Sequence, residues 1–329
     1  MGTFLSVKWD FDPVICNLPD FQLRPFLLLW IIGLIIMCYA IKNHCRKHSI
    51  EPSYFEPVSI YFILGLFIYL FKGRELRYYS IMWVIGLAAA YLIVKKLYKD
   101  RGIKDEVFDP LFLYCFLSIL IGARLGHCIF YEPEYYLTSG KHFIEMLLPI
   151  QFQPQGGVKL IGYSGLASHG GTIGIIIGMI LYCRKYKVKV LECIDMVCVA
   201  TPLTAACIRI GNLMNSEIVG KATGTDWGFI FVQNGEDFAR HPAQLYEAIA
   251  YLIIFIITLL IYRKHKEKIG SGFYFGFCIA TIFTFRFFIE FCKEVQVDFE
   301  QGMALDMGQL LSIPFAIAGI WLMLHSRKK

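Results

Sequence analysis

Long apolar blocks alternate with short polar connections along most of the chain. About 20 apolar residues cross a bilayer as a helix, with a usual range of roughly 17–25. Nine blocks meet that pattern and predict spans at about 25–41, 57–71, 79–94, 110–131, 165–183, 190–208, 243–262, 271–291 and 307–324. Helices are the expected element, because a strand in lipid leaves backbone groups unsatisfied unless it closes into a barrel. Asp109-Pro110 predicts an N-cap and first helical residue for the fourth block. The block at 57–71 is the shortest and also fits a re-entrant segment.

Composition sharpens this picture. Hydrophobic residues make up 57% of the 329, charged residues 18%, and mean hydropathy is +0.55. Soluble domains carry roughly 25% charged and 45–50% apolar residues. A soluble enzyme and a disordered chain are both excluded, and the fold class is an all-α polytopic integral membrane protein. Lys and Arg are unequally shared between alternate connections, nineteen on one set and ten on the other, with Arg124, Arg209 and Arg286 inside spans. The positive-inside rule then puts the N-terminus outside and the C-terminus in the cytoplasm, if all nine blocks cross. The net charge of +6 therefore reads as topology, not as nucleic-acid binding. Met1 to Arg24 carries Asp10, Asp12 and Asp20 against Lys8 and Arg24, which is not the basic start of a cleavable signal. The 11 cysteines form no CxxC and read as small buried hydrophobes. The long connections, 132–164 and 212–242, fall on the outer side, so the chemistry is expected at the outer leaflet.

A charge inside a span costs roughly 2.5–3.5 kcal/mol on insertion scales, so each one needs a reason. Arg286 and Glu290 in FRFFIEF share a helical face and could be only an internal ion pair. Three intramembrane arginines, with Glu290 and Glu247 as the nearby acids, point instead to an anion from outside the chain. Phosphate is the natural one, because a guanidinium fork matches it. Arg209, Asn212 and Asn215 form a polar stripe where the sixth span ends, followed by Glu217 and Gly220. Polar contact between helices is the plainer reading of the asparagines. His169 in SHGGTIG stands at the mouth of the fifth span, where Gly170 and Gly171 permit close approach. A neutral imidazole there suits a general base. His241 precedes Pro242 and has a turn role available, while Gly122 and Gly126 read as close helix packing. No metal-ligand spacing, nucleotide loop or activated nucleophile is present, so no metal or cofactor is expected and the nucleophile is expected on a substrate. A secondary transporter of a small anion remains the alternative function, and a non-catalytic scaffold a third.

These blocks resemble the bacterial prolipoprotein diacylglyceryl transferases. RIGNLMNSEIVG at 209–220 is similar to that family's signature, and SHGGTIG at 168–174 to its His-Gly-Gly motif. GARLGHCIFY (122–131), RHPAQLYE (240–247), FRFFIEF (285–291) and MGQLLSIP (307–314) follow in the same order, and LRYYSIMWVIG (76–86) resembles the first core span. The likeness covers residues 76–329 and FDPVI at 11–15. It implies a seven-span core at 76–329 and an N-terminal segment, 1–75, whose insertion at about 18–75 adds two spans. Ser216, Leu213 and Ile208 depart from the pattern's Gly, Phe and Gly, and are expected to retune packing only.

The implied reaction transfers the diacylglyceryl group of phosphatidylglycerol to the thiol of a preprolipoprotein lipobox cysteine, giving a thioether and glycerol phosphate. His169 would be the base. Arg209 and Arg286 would hold the phosphate, and Asn212, Glu217 and Tyr79 the headgroup. Gly220 would keep the loop tight, and Glu290 would position Arg286. The implied partners are phosphatidylglycerol, lipobox peptides and the bilayer, with no nucleic acid. The implied location is the bacterial cytoplasmic (inner) membrane, with the active site toward its outer leaflet.

Overall fold

The computed structural model describes residues 6–17, 32–33, 35, 38–39, 42–43, 75–130, 132–147, 150–153, 157–160, 168–294 and 305–326. The chain divides into two units, Asp12–Tyr78 and the combination of Met1–Phe11 with Tyr79–Lys329. In the former, β2 (Val14–Asn17) pairs antiparallel with β3 (Glu75–Arg77), with a register break between Val14 and Cys16. Asp12 accepts from the Val14 amide at 2.8 Å and holds the turn into β2. The expected span at 57–71, and most of that at 25–41, lie outside the described residues.

The larger unit is mainly helical. Its described helices are α1 (Tyr78–Asp100), α2 (Asp105–Phe130), α3 (Pro133–Tyr136), α4 (Gly140–Leu147), α5 (Ser168–Tyr186), α6 (Val190–Met214), α7 (Ala243–Lys264), α8 (Phe273–Ile289) and α9 (Met307–His325). Among the described residues, six helices are long and apolar enough to cross a membrane: α1, α2, α6, α7, α8 with its 3-10 extension to Cys292, and α9. They answer to six of the nine expected spans. α5 answers to the block at 165–183, but its polar opening SHGGT and its terminal Arg184-Lys185 dilute its apolar run. α2 begins at Asp105 rather than at Pro110, which lies inside the helix. Asp105 and Glu106 favour that earlier start, because carboxylates complement the positive end of the helix dipole. Large apolar side chains such as Leu92, Ile176 and Leu324 stand exposed on these helices, as they would against lipid.

Close crossings hold the bundle. Gly170, Gly174 and Gly178 of α5 repeat every fourth residue and meet Ser118, Gly122 and Gly126 of α2, which share that spacing. A Cβ on Gly122 would overlap the Gly170 carbonyl, and one on Gly174 that of Ser118. Small residues here let two backbones touch, which is how helices associate without a hydrophobic drive. The expectation of close packing at Gly122 and Gly126 is met, and Gly170 is the glycine that uses it. α8 and α9 cross similarly, where a Cβ on Gly319 would stand 2.7 Å from the Gly276 oxygen.

Caps fix the helix ends. Fully buried Asp195 on α6 accepts from the amides of Gly270 (2.8 Å), Gly272 (2.9 Å) and Phe275 (2.9 Å) at the start of α8. Asp306 and Gln309 form a reciprocal capping box at the start of α9. Short strands complete the connections. β1 (Ser6–Trp9) pairs in parallel with β6 (Gly228–Phe231), and β4 (Ile150–Phe152) antiparallel with β5 (Val158–Leu160).

Candidate active site

The end of α6 sets the site. Its last residues are followed by Asn215, Ser216 and Glu217, where the Ser216 amide bonds the Leu213 carbonyl (3.0 Å) and the Glu217 amide that of Asn212 (3.1 Å). That pair of bonds is a Schellman motif, which needs a left-handed residue at the first non-helical position. Ser216 occupies it at φ 52°. The motif folds Glu217 back over the helix, so that the Asn212 amide donates to the Glu217 carboxylate at 2.7 Å. Gln244 of α7 donates to the Glu217 carbonyl and fixes the turn from the other side.

The departure at Ser216 therefore bears on the backbone, not on packing alone. Left-handed geometry costs an ordinary residue about 1–2 kcal/mol, and the buried Ser216 hydroxyl finds no hydrogen-bond partner among the described residues. Glycine would lose roughly 0.4–1 kcal/mol more through its unfolded state. Ser216→Gly is expected to raise stability by about 1 kcal/mol, read as a higher melting temperature in detergent. A lower one would contradict the strain.

From Asn212 a chain of alternating charges runs across α6, α7 and the end of α8. Arg209 donates to Asn212 (Nη1 to Oδ1, 3.3 Å) and pairs through Nε with Glu247 of α7 at 3.0 Å. Glu247, fully buried, also receives Lys293 Nζ (3.2 Å) and the Tyr251 hydroxyl (3.2 Å). Lys293 then reaches Glu290 at 3.2 Å, and Glu290 pairs with Arg286 Nε at 3.4 Å. Glu290 is covered by α9, because a Cβ on Gly308 would stand 2.7 Å from its Oε1. Three cations thus alternate with two buried carboxylates. The Arg286 side chain is 39% exposed, against 10% for Glu290, and Glu290 takes its Nε edge.

Gly220 closes the loop over this chain. Its amide bonds the His241 carbonyl at 2.9 Å, and it bridges antiparallel to Lys293. A Cβ there would meet the carbonyls of His241 (2.5 Å) and Cys292 (2.8 Å), backbone atoms that cannot yield. Arg240 clamps the same turn, donating to the Gly220 carbonyl (3.1 Å) and pairing with Glu236 (2.7 Å) and Glu294 (2.8 Å). Burial opposes the Arg240 charge, yet those two carboxylates hold its pKa above the ordinary guanidinium value. Tyr79 of α1 lies against α6, where a Cβ on Gly211 would stand 2.9 Å from its ring.

The structure thus joins Arg209, Asn212, Glu217, Gly220, Glu290 and Arg286 and sets Tyr79 beside α6. It places the His169 backbone in the first turn of α5, at the glycine crossing with α2. Two participants stand out beyond the expected set. Lys293 lies beyond the expected span at 271–291, and Glu247 enters the sequence reading only as a nearby acid. The seven-residue step from Arg286 to Lys293 hints at a shared face, but the 3-10 turn at Glu290–Cys292 breaks that periodicity. Arg124, grouped with the anion-seeking arginines by sequence, instead donates to the Tyr136 hydroxyl and the Glu145 carbonyl, both at 3.1 Å. It ties α2 to the loop helices α3 and α4. Among the described residues, no group of three or more His, Cys, Asp or Glu could hold a metal ion.

A family model described as prolipoprotein diacylglyceryl transferase matches residues 66–325. The chain is 56% identical over 257 residues to the phosphatidylglycerol–prolipoprotein diacylglyceryl transferase of Bacteroides fragilis (strain ATCC 25285), a match covering 78% of this chain and 91% of that protein. The protein of the same name from Tolumonas auensis is 39% identical over 254 residues, covering 77% and 92%. That from Porphyromonas gingivalis is 38% identical over 272 residues, covering 78% and 90%.

Proposed function

Because this chain belongs to the prolipoprotein diacylglyceryl transferase family, we propose that it transfers the diacylglyceryl group of phosphatidylglycerol to a prolipoprotein. The acceptor in this reading is the thiol of the lipobox cysteine, and the products are a thioether and glycerol phosphate. The observation that carries it is the alternating chain Arg209–Glu247–Lys293–Glu290–Arg286, which holds two guanidinium groups by their Nε edges and carries one more cation than carboxylate. Such a chain attracts an anion, and a phosphodiester fits a fork of two N–H groups. The relatives are named as transferases, which favours this reading over anion transport.

In the proposed mechanism Arg209 and Arg286 hold the lipid phosphate, with Glu290 keeping Arg286 in position. Asn212, Glu217 and Tyr79 orient the glycerol headgroup, and Gly220 keeps the loop closed. The substrate thiol, with an ordinary pKa of about 8.5, gives its proton to His169. Sulfur then bonds to the glycerol carbon as the carbon–oxygen bond to phosphate breaks. The electron pair leaves with the phosphate oxygen, where the arginines stabilise it.

We further propose a nine-span arrangement in the bacterial cytoplasmic (inner) membrane. Its N-terminus lies outside, its C-terminus in the cytoplasm and its site toward the outer leaflet. The uneven Lys and Arg count supports that orientation. Residues 1–75 would add two spans to a core at 76–329. The test is release of glycerol phosphate from phosphatidylglycerol by the purified protein. Release should require a lipobox peptide with an intact cysteine and should be lost in His169→Gln. Release without peptide would point to a lipase instead.

A further inference from the structure

The turn that carries Asn212 and Glu217 is held from β1 as well as from α7. Trp9, the last residue of β1, donates its indole Nε1–H to the Leu213 carbonyl at 3.1 Å, across 204 residues of sequence. That carbonyl already takes the Ser216 amide at 3.0 Å, so both of its lone pairs are used. Further along the turn, Asn234 donates to the Ser216 carbonyl at 2.9 Å from the 3-10 turn Val232–Asn234. Gln244 of α7 takes the Glu217 carbonyl. Side chains from three separate elements thus hold the backbone at Leu213, Ser216 and Glu217.

Packing places the indole before the bond is counted. Its ring stacks on Phe11 with centroids 5.6 Å apart and lies 5.5 Å from the Phe229 ring of β6. The parallel register sets Trp9 opposite Phe231, and just beyond it Asp10 accepts from Gln233 at 3.0 Å. Strand and stack therefore hold an aromatic ring here whether or not it carries an N–H. The donor does something else. Carbonyls in the last turn of a helix lack intrahelical partners, and a fixed donor on one of them sets how the chain leaves the helix. Asn212 sits one residue before Leu213, accepts from Arg209 at 3.3 Å and donates to Glu217 at 2.7 Å. Any rocking of this turn shifts Asn212 and Glu217 relative to Arg209.

We propose that Trp9 is a positioning residue for the donor lipid, and that its bond to Leu213 fixes the turn on which Asn212 and Glu217 meet the headgroup. The proposal rests on the reading that those two side chains bind phosphatidylglycerol. Trp9→Phe keeps a stacked ring and removes the donor. It should raise the KM for phosphatidylglycerol about tenfold, the size of one lost hydrogen bond. The KM for the lipobox peptide and the melting temperature should stay at their wild-type values. A fold defect alone would lower the active fraction, which scales turnover and leaves KM where it is. An unchanged lipid KM would overturn the proposal. Trp9→3-benzothienylalanine keeps both rings and puts sulfur in place of the N–H, so it should raise the lipid KM in the same way. A wild-type KM there would overturn the role of the donor. Hydrogen exchange, read without lipid, separates this proposal from the reading beneath it. The Ser216 and Glu217 amides should exchange faster in Trp9→Phe than in wild type. Unchanged exchange would mean that Trp9 does not hold the turn. Faster exchange in a protein whose wild type transfers nothing would overturn the phosphatidylglycerol reading, and with it the lipid role of Trp9, while leaving the hold on the turn.

Discussion

Arg286→Lys is expected to lower the rate of diacylglyceryl transfer about 100-fold or more while leaving the fold intact. Glu290 takes the Nε edge of Arg286 at 3.4 Å, so in the proposed mechanism the Nη pair is what remains to grip phosphate. Lysine keeps the charge and can still pair with Glu290, but its single ammonium cannot do both at once. Removing one preorganised donor from a developing oxyanion typically costs about 10²–10³ in rate. The effect should appear in kcat, since the charge on the leaving phosphate grows in the transition state. The measurement is steady-state transfer by wild type and variant at matched melting temperature. Turnover within threefold of wild type would remove Arg286 from the chemistry.

Lys293→Met is expected to destabilise the protein by about 3–5 kcal/mol, because it removes the cation that two buried carboxylates share. The Lys293 side chain is 3% exposed and bridges Glu247, which is fully buried, to Glu290. Glu247 would keep Arg209 and Tyr251, and Glu290 would keep Arg286, but the two acids would lose the positive charge between them. Lys293→Arg keeps the charge and should retain most of the stability. The double variant Lys293→Met/Glu247→Gln should recover part of the loss, since coupled neighbours are not additive. Melting in detergent reads all three. A methionine variant as stable as wild type would mean that Lys293 is not holding the chain of charges together.

Much of the fold was legible in hydrophobic spacing, which is why six described helices fall where the apolar blocks do. Helix starts were less legible. Asp109-Pro110 looked like a beginning, but the carboxylates of Asp105 and Glu106 carry the helix a turn further back. The strands escaped notice because three or four residues carry too little alternation to register. In the site, Arg209, Asn212 and Glu217 were readable from one local run, since a Schellman turn brings its own residues together. Arg286 and Glu290 were readable from helical spacing. Lys293 was not, because its burial depends on a 3-10 turn at Glu290–Cys292 and on a backbone bridge to Gly220, some 70 residues earlier. Arg124 misled for the same reason, since its partners Tyr136 and Glu145 lie on loop helices that no periodicity joins to α2.

Transfer of the lipid itself is the most direct test. The purified protein is incubated with phosphatidylglycerol and a lipobox peptide, and the peptide is weighed by mass spectrometry. The expected result is a gain of one diacylglyceryl group, absent when the peptide cysteine is replaced by serine. A peptide of unchanged mass, with folded protein and an active related enzyme run alongside, would contradict the central claim.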